Sequence, residues 1–316
     1  MAVAPDGTFI AIQSALDGHA PVVLHSADAV TWSAVGPLPA TRDSQVNEIT
    51  NDGHGLIAVG LDPAGAVWTS ADGLGWRQEP DQPALASEEF ERVAAGPNEI
   101  IAVLGSGSLA SSPDGLSWSV VSVDGTGAAK VSAVTVSDAG FVAVGSVGTR
   151  AAAWTSSDGY DWRPATFSGN SNASADLISV AADSQRVVAL GSVPSPGDVS
   201  GDAWTAMSAW VSADGGATWA RTGTAAPALY APSFPGLYAL AGGFIALGNP
   251  GPGGIGVWTT RDGIAWQQAR IEGAGDDVFG KSLAISGPLG VIGGKTVGTG
   301  EGGDRAVFWI GHAGNN

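Results

Sequence analysis

The sequence contains no cysteine and few cationic side chains. Without cysteine there are no disulfides and no thiolate metal sites. The chain has 13 Lys and Arg against 30 Asp and Glu, a net charge of −17. Nucleic acids and anionic membranes both select positively charged surfaces, so neither is an expected partner. No apolar run reaches the roughly 20 residues of a transmembrane helix, so membrane insertion is not expected.

Motifs for metals, cofactors and catalysis are scarce as well. The four histidines lack the spacing of metal ligands, so no metal site is predicted. Two G-x-G-x-x-G matches, Gly251–Gly256 and Gly298–Gly303, open no predicted helix and are interpreted as hairpin loops. No G-x-S-x-G elbow occurs. The sequence therefore predicts no cofactor and assigns no catalytic residue.

A short turn that ends in Trp recurs six times along the chain. In each copy an Asp follows a Ser or Thr by two residues, and Gly follows that Asp in five copies. The copies are Ser26–Trp32, Ser70–Trp76, Ser112–Trp118, Ser156–Trp162, Ser212–Trp219 and Thr260–Trp266. Their Trp residues are 44, 42, 44, 57 and 47 positions apart. A period of this size indicates an array of equivalent supersecondary units.

Short apolar runs bounded by Gly and Pro precede each turn. The most regular are Phe9–Ile12, Leu56–Val59, Ile100–Val103, Phe141–Val144, Val187–Leu190 and Phe244–Leu247, with a weaker seventh at Gly290–Gly293. β-Branched runs without a 3.6-residue period indicate strands. Each unit is therefore strand A, strand B, strand C, the Asp turn and strand D. Residues 1–316 are predicted to form one all-β domain, a seven-bladed β-propeller of four-stranded antiparallel blades.

The repeated turn resembles the Asp box, or BNR repeat, of sialidase-like β-propellers. Its forms are Ser/Thr-x-Asp-Gly-x-x-Trp and Ser-x-Asp-x-Gly-x-Thr-Trp, and Ser212–Trp219 fits the longer one. The resemblance implies that the boxes form the C–D turns, on the face away from a catalytic centre. Physically, the Asp accepts backbone N–H groups, Gly supplies positive φ and Trp packs on a neighbouring strand. These residues are interpreted as structural: Asp28, Trp32, Asp72, Trp76, Asp114, Trp118, Asp158, Trp162, Asp214, Trp219, Asp262 and Trp266.

Sialidase activity is disfavoured although the turn resembles that family. The resemblance implies an arginine triad, a Tyr–Glu nucleophile pair and an Asp that acts as the acid. The Arg-Ile-Pro signature is absent, no motif places three arginines together, and Tyr160 lies inside an Asp box on the other face. Another carbohydrate-active hydrolase or lyase is the alternative. It requires two carboxylates about 5–10 Å apart, which the sequence does not pair.

One long excursion, Gly191–Ala209, explains the 57-residue spacing and is the predicted binding loop. It carries Asp198, Asp202, Trp204 and Met207, and Trp204 is the one Trp outside the repeat pattern. The loop after the same blade adds Tyr230 and Phe234. Aromatic side chains on loops of a rigid scaffold are typical of protein or glycan binding.

The last blade is predicted to lack an outer strand of its own. Its strand C is Ala306–Ile310, and only Gly311–Asn316 follow. Either the final blade has three strands, or another chain or a missing part of a longer parent supplies the fourth. The predicted assembly edge consists of Val307, Phe308, Trp309 and Ile310.

These features favour a non-catalytic recognition or assembly module. A phage tail or virion component, or a cell-surface binder of a protein or a glycan, fits the absence of a signal peptide at Met1. A secreted or lipoprotein-anchored propeller with a trimmed leader is a further alternative. The expected location is extracellular or virion-associated.

Overall fold

The polypeptide folds into a seven-bladed β-propeller, as predicted. The structure, a computed structural model, describes residues 1–13, 19–80, 82, 85, 87–123, 128–193, 206–226, 236–248, 255–269, 271, 278–287, 289–296 and 305–312. Its strands β1 to β28 form seven sheets, each built from consecutive antiparallel strands. One of the sheets, that of blade five, carries an additional parallel strand. The single-domain boundary 1–316 stays a prediction.

The first three blades have four strands each. Blade one contains β1 (Ala2–Val3), β2 (Phe9–Gln13), β3 (Val22–Ser26) and β4 (Ser33–Pro37). Blade two contains β5 (Gln45–Asn51), β6 (Leu56–Leu61), β7 (Gly65–Ser70) and β8 (Arg77–Gln78). Blade three contains β9 (Phe90–Ala95), β10 (Ile100–Leu104), β11 (Leu109–Ser112) and β12 (Ser119–Val121).

The remaining blades include one with an added strand and one with three strands. Blade four contains β13 (Ala129–Ser137), β14 (Gly140–Val147), β15 (Arg150–Ser156) and β16 (Arg163–Pro164), and β17 (Thr166–Phe167) follows it. Blade five contains β18 (Asp176–Ala182), β19 (Val187–Val193), β20 (Ala206–Ser212) and β21 (Thr218–Ala226). Blade six contains β22 (Gly236–Leu240), β23 (Gly243–Gly248), β24 (Gly256–Thr260) and β25 (Gln267–Ala269). Blade seven contains β26 (Val278–Ser286), β27 (Leu289–Thr296) and β28 (Arg305–His312).

The predicted apolar runs are the second strands, which lie inside each sheet. In β6, Leu56, Ile57, Ala58 and Val59 are each at most 1% exposed. A strand that is buried on both faces is continuously apolar rather than alternating, which is the pattern read from the sequence.

The chain forms two compact units. The first unit comprises Met1–Ser122, Leu283–Gly293 and Phe308–Asn316, and the second comprises Val123–Ser282 and Gly294–Val307. Within each unit the Asp turn of one blade packs against strand B of the blade before it.

In the first unit, Gly73 of the blade-two turn lies against Ile10 of blade one. A Cβ added at Gly73 would lie 2.6 Å from Ile10 Cδ1, which is closer than atoms pack. Gly115 of blade three is placed in the same way, because its added Cβ would lie 3.1 Å from Ile57 Cδ1 of blade two. The turn glycine is therefore needed for two reasons. It adopts a positive φ, 77° at Gly73, and its lack of a side chain lets the backbone approach the neighbouring strand closely.

The second unit repeats this contact. An added Cβ at Gly216 of blade five would lie 2.9 Å from Val142 Cγ1 of blade four. One at Gly263 of blade six would lie 2.7 Å from Val188 Cγ2 of blade five. Ile10, Ile57, Val142 and Val188 are each the second residue of a predicted strand-B run. The repeat therefore carries the interface between blades as well as the fold of each blade.

Tryptophans inside the C strands hold the loops that link blades. The Nε1–H of Trp68 donates to the Pro39 carbonyl at 3.0 Å, and that of Trp210 donates to the Ser171 carbonyl at 2.8 Å. Both side chains are fully buried. Each indole therefore combines a large apolar surface with a satisfied donor.

Replacement of Gly73 tests the contact between blades. We expect Gly73→Ala to lower the free energy of unfolding by about 2–4 kcal/mol, since it combines an unfavourable positive φ with overpacking against Ile10. Gly53→Ala has a similar positive φ of 87° and open space around it, so it should cost only about 1 kcal/mol. Gly75→Ala has neither problem and is the matched control. Urea unfolding of the three variants measures the difference, and equal losses for all three would contradict the packing role.

Candidate functional site

The Asp turn of blade one illustrates how the repeated carboxylate is used. Asp28 Oδ1 accepts the N–H groups of Val30 and Thr31 at 2.9 and 2.7 Å. The Ser26 hydroxyl also donates to Oδ1, at 3.0 Å, and the Thr31 hydroxyl donates to Oδ2 at 3.1 Å. The Trp32 Nε1–H closes the turn by donating to the Ala29 carbonyl at 3.0 Å.

The other five turns use the same network. Asp72, Asp114, Asp158, Asp214 and Asp262 each accept backbone N–H groups, and Trp76, Trp118, Trp162, Trp219 and Trp266 each donate Nε1–H to a turn carbonyl. Carboxylates committed to a turn in this way are structural, in agreement with the interpretation from sequence.

These hydrogen bonds stabilise the ionised carboxylates. The N–H of Thr31, followed by that of Val30, lowers the pKa of Asp28 to about 2. The N–H groups of Gly75, Leu116, Asp161 and Ile264 are the largest causes of the lowered pKa of Asp72, Asp114, Asp158 and Asp262 respectively. A carboxyl group that stays ionised at neutral pH and is bound to its own turn is poorly suited to general acid catalysis.

The predicted loop-face residues are largely outside the described part of the chain. Asp198, Asp202, Trp204, Tyr230 and Phe234 lie outside the described residues. Met207 is described and is fully buried, packed in a core with Leu190, Leu237 and Phe244. The expectation that Met207 contacts a ligand was therefore wrong. The reason is that β20 begins at Ala206, before the predicted end of the loop.

The predicted assembly edge lies on β28, the last strand of blade seven. Phe308 stacks on Trp32 of blade one with ring centroids 4.0 Å apart and an interplanar angle of 6°. Around them a core joins Phe9 and Ala29 of blade one with Ala284 and Val291 of blade seven. Phe308 is thus a contact between the first and last blades rather than an exposed edge residue. Val307 and Trp309 are half-buried, and Ile310 is 41% exposed.

The contact between these two blades follows the interblade pattern with one change. Ala29 replaces the turn glycine, adopts a positive φ of 64° and packs with Val291, the strand-B counterpart of Ile10. The residue before the strand-C Trp is Val67, Ala153, Ala209 or Val257 in other blades and Phe308 in blade seven. The bulky Phe308 at a position that is Val or Ala in those blades was the sequence signal for the contact with Trp32, and the sequence analysis did not use it.

The outer edge of β28 is open within the described residues. The sheet of blade seven has the order β26-β27-β28, so β28 pairs with β27 alone. In the other six blades the third strand has a neighbour on each side, for example β6 and β8 beside β7. Alternate residues of the eight-residue strand β28 therefore direct their backbone donors and acceptors to the open side.

Polar side chains on the first strands connect neighbouring blades of the first unit. Asn51 Nδ2 donates to the Val3 carbonyl at 2.8 Å, and the Val93 N–H donates to Glu48 Oε2 at 2.6 Å. Burial raises the pKa of Glu48, while Arg92 acts in the opposite direction. These contacts bind one blade to the next.

The described residues include neither a cluster of metal ligands nor a membrane-spanning helix. The described ranges contain no group of three or more His, Asp or Glu side chains that could hold a metal ion. In the same ranges, no helix combines the length and the apolar character needed to cross a bilayer.

Comparison with protein families identifies the fold family. Residues 26–272 match the model of the DUF6242 β-propeller domain, which is more than half of the chain. The chain belongs to the DUF6242 β-propeller family. The match covers all six Asp turns, and it extends into the link between blades six and seven. No curated protein matches this DUF6242 sequence significantly.

Solved structures with the same fold are distant in sequence. YCF48 from Cyanidioschyzon merolae is 16% identical with a TM-score of 0.56, over 98% of this chain and 97% of that chain. YCF48 bound to D1 peptide is 18% identical with a TM-score of 0.56, over 96% and 94%. The α-L-arabinofuranosidase arb93a from Fusarium graminearum is 12% identical with a TM-score of 0.53, over 98% and 91%. At these identities the likeness establishes the fold alone, and the fold serves both an enzyme and a peptide-binding protein.

The lowered pKa of Asp28 predicts acid sensitivity of its turn. Because the pKa is about 2 in the folded protein against 3.8 ordinarily, the stabilisation is complete above pH 3.8. It is lost as the pH falls from there to about 2. Asp28→Asn keeps an oxygen acceptor and removes the titration, so its unfolding free energy should depend less on pH in this window. Urea unfolding between pH 7 and 2 measures this, with Asp43→Asn as the control. Identical pH profiles for wild type and Asp28→Asn would contradict it.

The stack of Trp32 on Phe308 should hold the first and last blades together. We expect Phe308→Ala to lower the free energy of unfolding by about 2–3 kcal/mol, through lost burial and a lost aromatic pair. Val120→Ala removes an exposed side chain and serves as the control. A double-mutant cycle with Trp32→Ala should give a coupling of about 0.5–1.5 kcal/mol. Additive losses would show that the stack contributes nothing specific.

Proposed function

We propose that this protein is a non-catalytic recognition or assembly module that binds a protein partner by strand addition at β28. The observation that carries the proposal is that, among the described residues, no strand pairs with the outer edge of β28, whereas the six other blades pair strand C on both sides. An exposed strand edge offers main-chain hydrogen bonds to an extended segment, which is a recurrent mode of peptide recognition.

The pairing of third and fourth strands in the other blades gives the direction and register expected of the partner segment. In blade six, Trp258 lies opposite Gln268 and Thr259 opposite Gln267, and in blade two Trp68 lies opposite Gln78. By the same register, the partner strand runs antiparallel to β28 with its residues opposite Trp309 and Ile310. The fourth strands β8 and β25 are short and mostly exposed, so a short polar segment is sufficient.

Strand addition already occurs inside this molecule. β17, in the link after blade four, pairs in parallel with β21 at the outer edge of blade five, with Thr166 opposite Thr218 and Phe167 opposite Trp219. Phe167 also stacks on Trp219 at 6.5 Å. The outer edge of a blade of this sequence therefore accepts a strand from outside its own four.

Similar proteins support a protein partner, and the charge of the chain indicates its character. YCF48 was solved bound to D1 peptide, and another protein of this fold was solved in the mitotic checkpoint complex. With a net charge of −17, this chain attracts segments that carry Lys or Arg.

The finer proposals rest on sequence. A virion or extracellular setting stays a proposal. A sialidase-like Asp-box ancestry is supported by the turn motif, and a glycan as a second ligand by Trp204 in the predicted binding loop. A glycan array with wild type and Trp204→Ala tests the glycan proposal, because equal binding by both proteins would exclude that residue.

A peptide of the blade-six turn and fourth strand, residues 260–269, is the probe for strand addition. We expect it to slow amide exchange of residues 305–312 in proportion to its concentration. A copy N-methylated at its strand residues should give no protection, because its donors are blocked. Ile310→Pro should weaken binding at least about tenfold by disturbing the edge, and Ile310→Ala, which keeps the backbone N–H, is the control.

The outcome is decided by exchange at β28. Protection that depends on free N–H groups of the peptide and on Ile310 supports the proposed function. If the probe at millimolar concentration leaves residues 305–312 unchanged, or protects wild type and Ile310→Pro equally, the proposed function is wrong.

A further inference from the structure

The Asp turns expose large apolar side chains at one repeated position. The residue two positions after the turn Asp is Val30, Leu74, Leu116, Tyr160 or Ile264, and each is between 38% and 69% exposed. In the described residues nine large hydrophobic side chains are exposed, and five of them occupy this position. Single exposed apolar residues are ordinary, but a repeated position indicates a surface.

In the first unit this surface contains a cleft between blades two and three, on the side of the A–B and C–D turns. Its volume is about 430 Å³. Leu56 and Ile57 contribute its apolar lining, and Leu116 projects from the blade-three turn beside it. Asp52 and Asp114 lie on its two sides, one from each blade. The cleft is separate from the edge of β28.

The acidic groups of the cleft have no cationic partner within the described residues. Arg77 also lines the cleft, but its Nη2 forms an ion pair with Glu79 Oε1 at 2.7 Å. This is the one ion pair between described residues. Asp52 Oδ1 accepts the N–H groups of His54 and Gly55, and Asp114 Oδ1 accepts those of Leu116 and Ser117. Backbone donors stabilise these charges without neutralising them, so the cleft presents carboxylates beside an apolar surface.

We propose that this cleft is a second binding site, for an extended peptide segment in which a Leu-like side chain stands beside a Lys or Arg. The apolar side chain packs against Leu116, which is 38% exposed, while Leu56 and Ile57 are buried behind the surface of the cleft. The cationic side chain lies near the carboxylates of Asp52 and Asp114, where its attraction is not already offset by a resident cation. Charge complementarity selects this segment over an acidic or purely polar one.

The test uses peptides of defined composition on the complete chain. The probe is the acetylated, amidated hexapeptide Gly-Leu-Arg-Leu-Arg-Gly, with Gly-Leu-Glu-Leu-Glu-Gly and Gly-Gly-Arg-Gly-Arg-Gly as comparison peptides. Calorimetric titration gives the affinity, and amide exchange of residues 52–57 and 114–118 locates the contact. We expect saturable binding of the Leu-Arg peptide, with weaker affinity at higher salt because exposed charges are screened.

Variants in equivalent turns provide matched controls. Leu116→Ser should weaken binding by about five- to tenfold through lost apolar burial, whereas Ile264→Ser changes the same position in blade six and should have no effect. Asp114→Asn keeps the turn acceptor and removes the charge, so about two- to fivefold weaker binding is expected, with Asp262→Asn as its control. Far-ultraviolet circular dichroism and urea unfolding confirm that each variant is folded.

Every result of this test decides the proposal. Preference for the Leu-Arg peptide, with losses confined to Leu116→Ser and Asp114→Asn, supports the cleft as a site. No binding at millimolar concentration, equal binding of the Glu or Gly peptides, or equal losses in the blade-six controls would overturn it. Because none of these residues lies on β28, failure here leaves the exchange result for residues 305–312 unaffected.

Discussion

Within each compact unit, the close packing of an Asp turn against strand B of the preceding blade is the constraint on which the structure depends. The turn needs an Asp to organise its N–H groups, a small residue in a positive-φ conformation and a Trp to cover the neighbouring strand. At Gly73 the distance to Ile10 leaves no room for a side chain. The repeat therefore encodes two things at once, the geometry of the hairpin between strands C and D and the spacing between blades.

In the part of the chain that the structure describes, the first and last blades meet through side chains and share no sheet. Blade one is built entirely from β1 to β4, and blade seven from β26 to β28. The contact between them reuses the turn-to-strand packing through Ala29 and Val291, and the stack of Trp32 on Phe308 reinforces it. Because Phe308 belongs to β28, the residue that joins the two blades lies on the strand whose outer edge is open.

Much of the fold was predictable because the repeat is both local and periodic. The strand-B runs and the turns are short signals, and seven copies of the run and six of the turn make them unambiguous. The strand β17 was missed because Thr166 and Phe167 show no alternation, and their pairing depends on a distant strand. Met207 was misassigned because the sequence does not mark where β20 begins.

Surface properties were harder to predict than the fold. The sequence showed apolar residues at Leu74 and Leu116, but only the structure shows that these side chains are exposed and that a cleft lies beside them. The stacking of Trp32 on Phe308 joins residues far apart in sequence, and the unusual Phe before the blade-seven Trp marks the position without showing its partner. Sequence periodicity identifies equivalent positions, whereas burial and contact between blades depend on the three-dimensional packing.

Amide exchange of the isolated chain tests the central claim most directly. The claim is that strand C of blade seven has an open outer edge while the third strands of other blades do not. Residues 256–260 of β24, paired on both sides, should be protected throughout. In residues 305–312 of β28, amides should alternate between protected and rapidly exchanging. Uniform protection of β28, equal to that of β24 and without any partner present, would contradict the account.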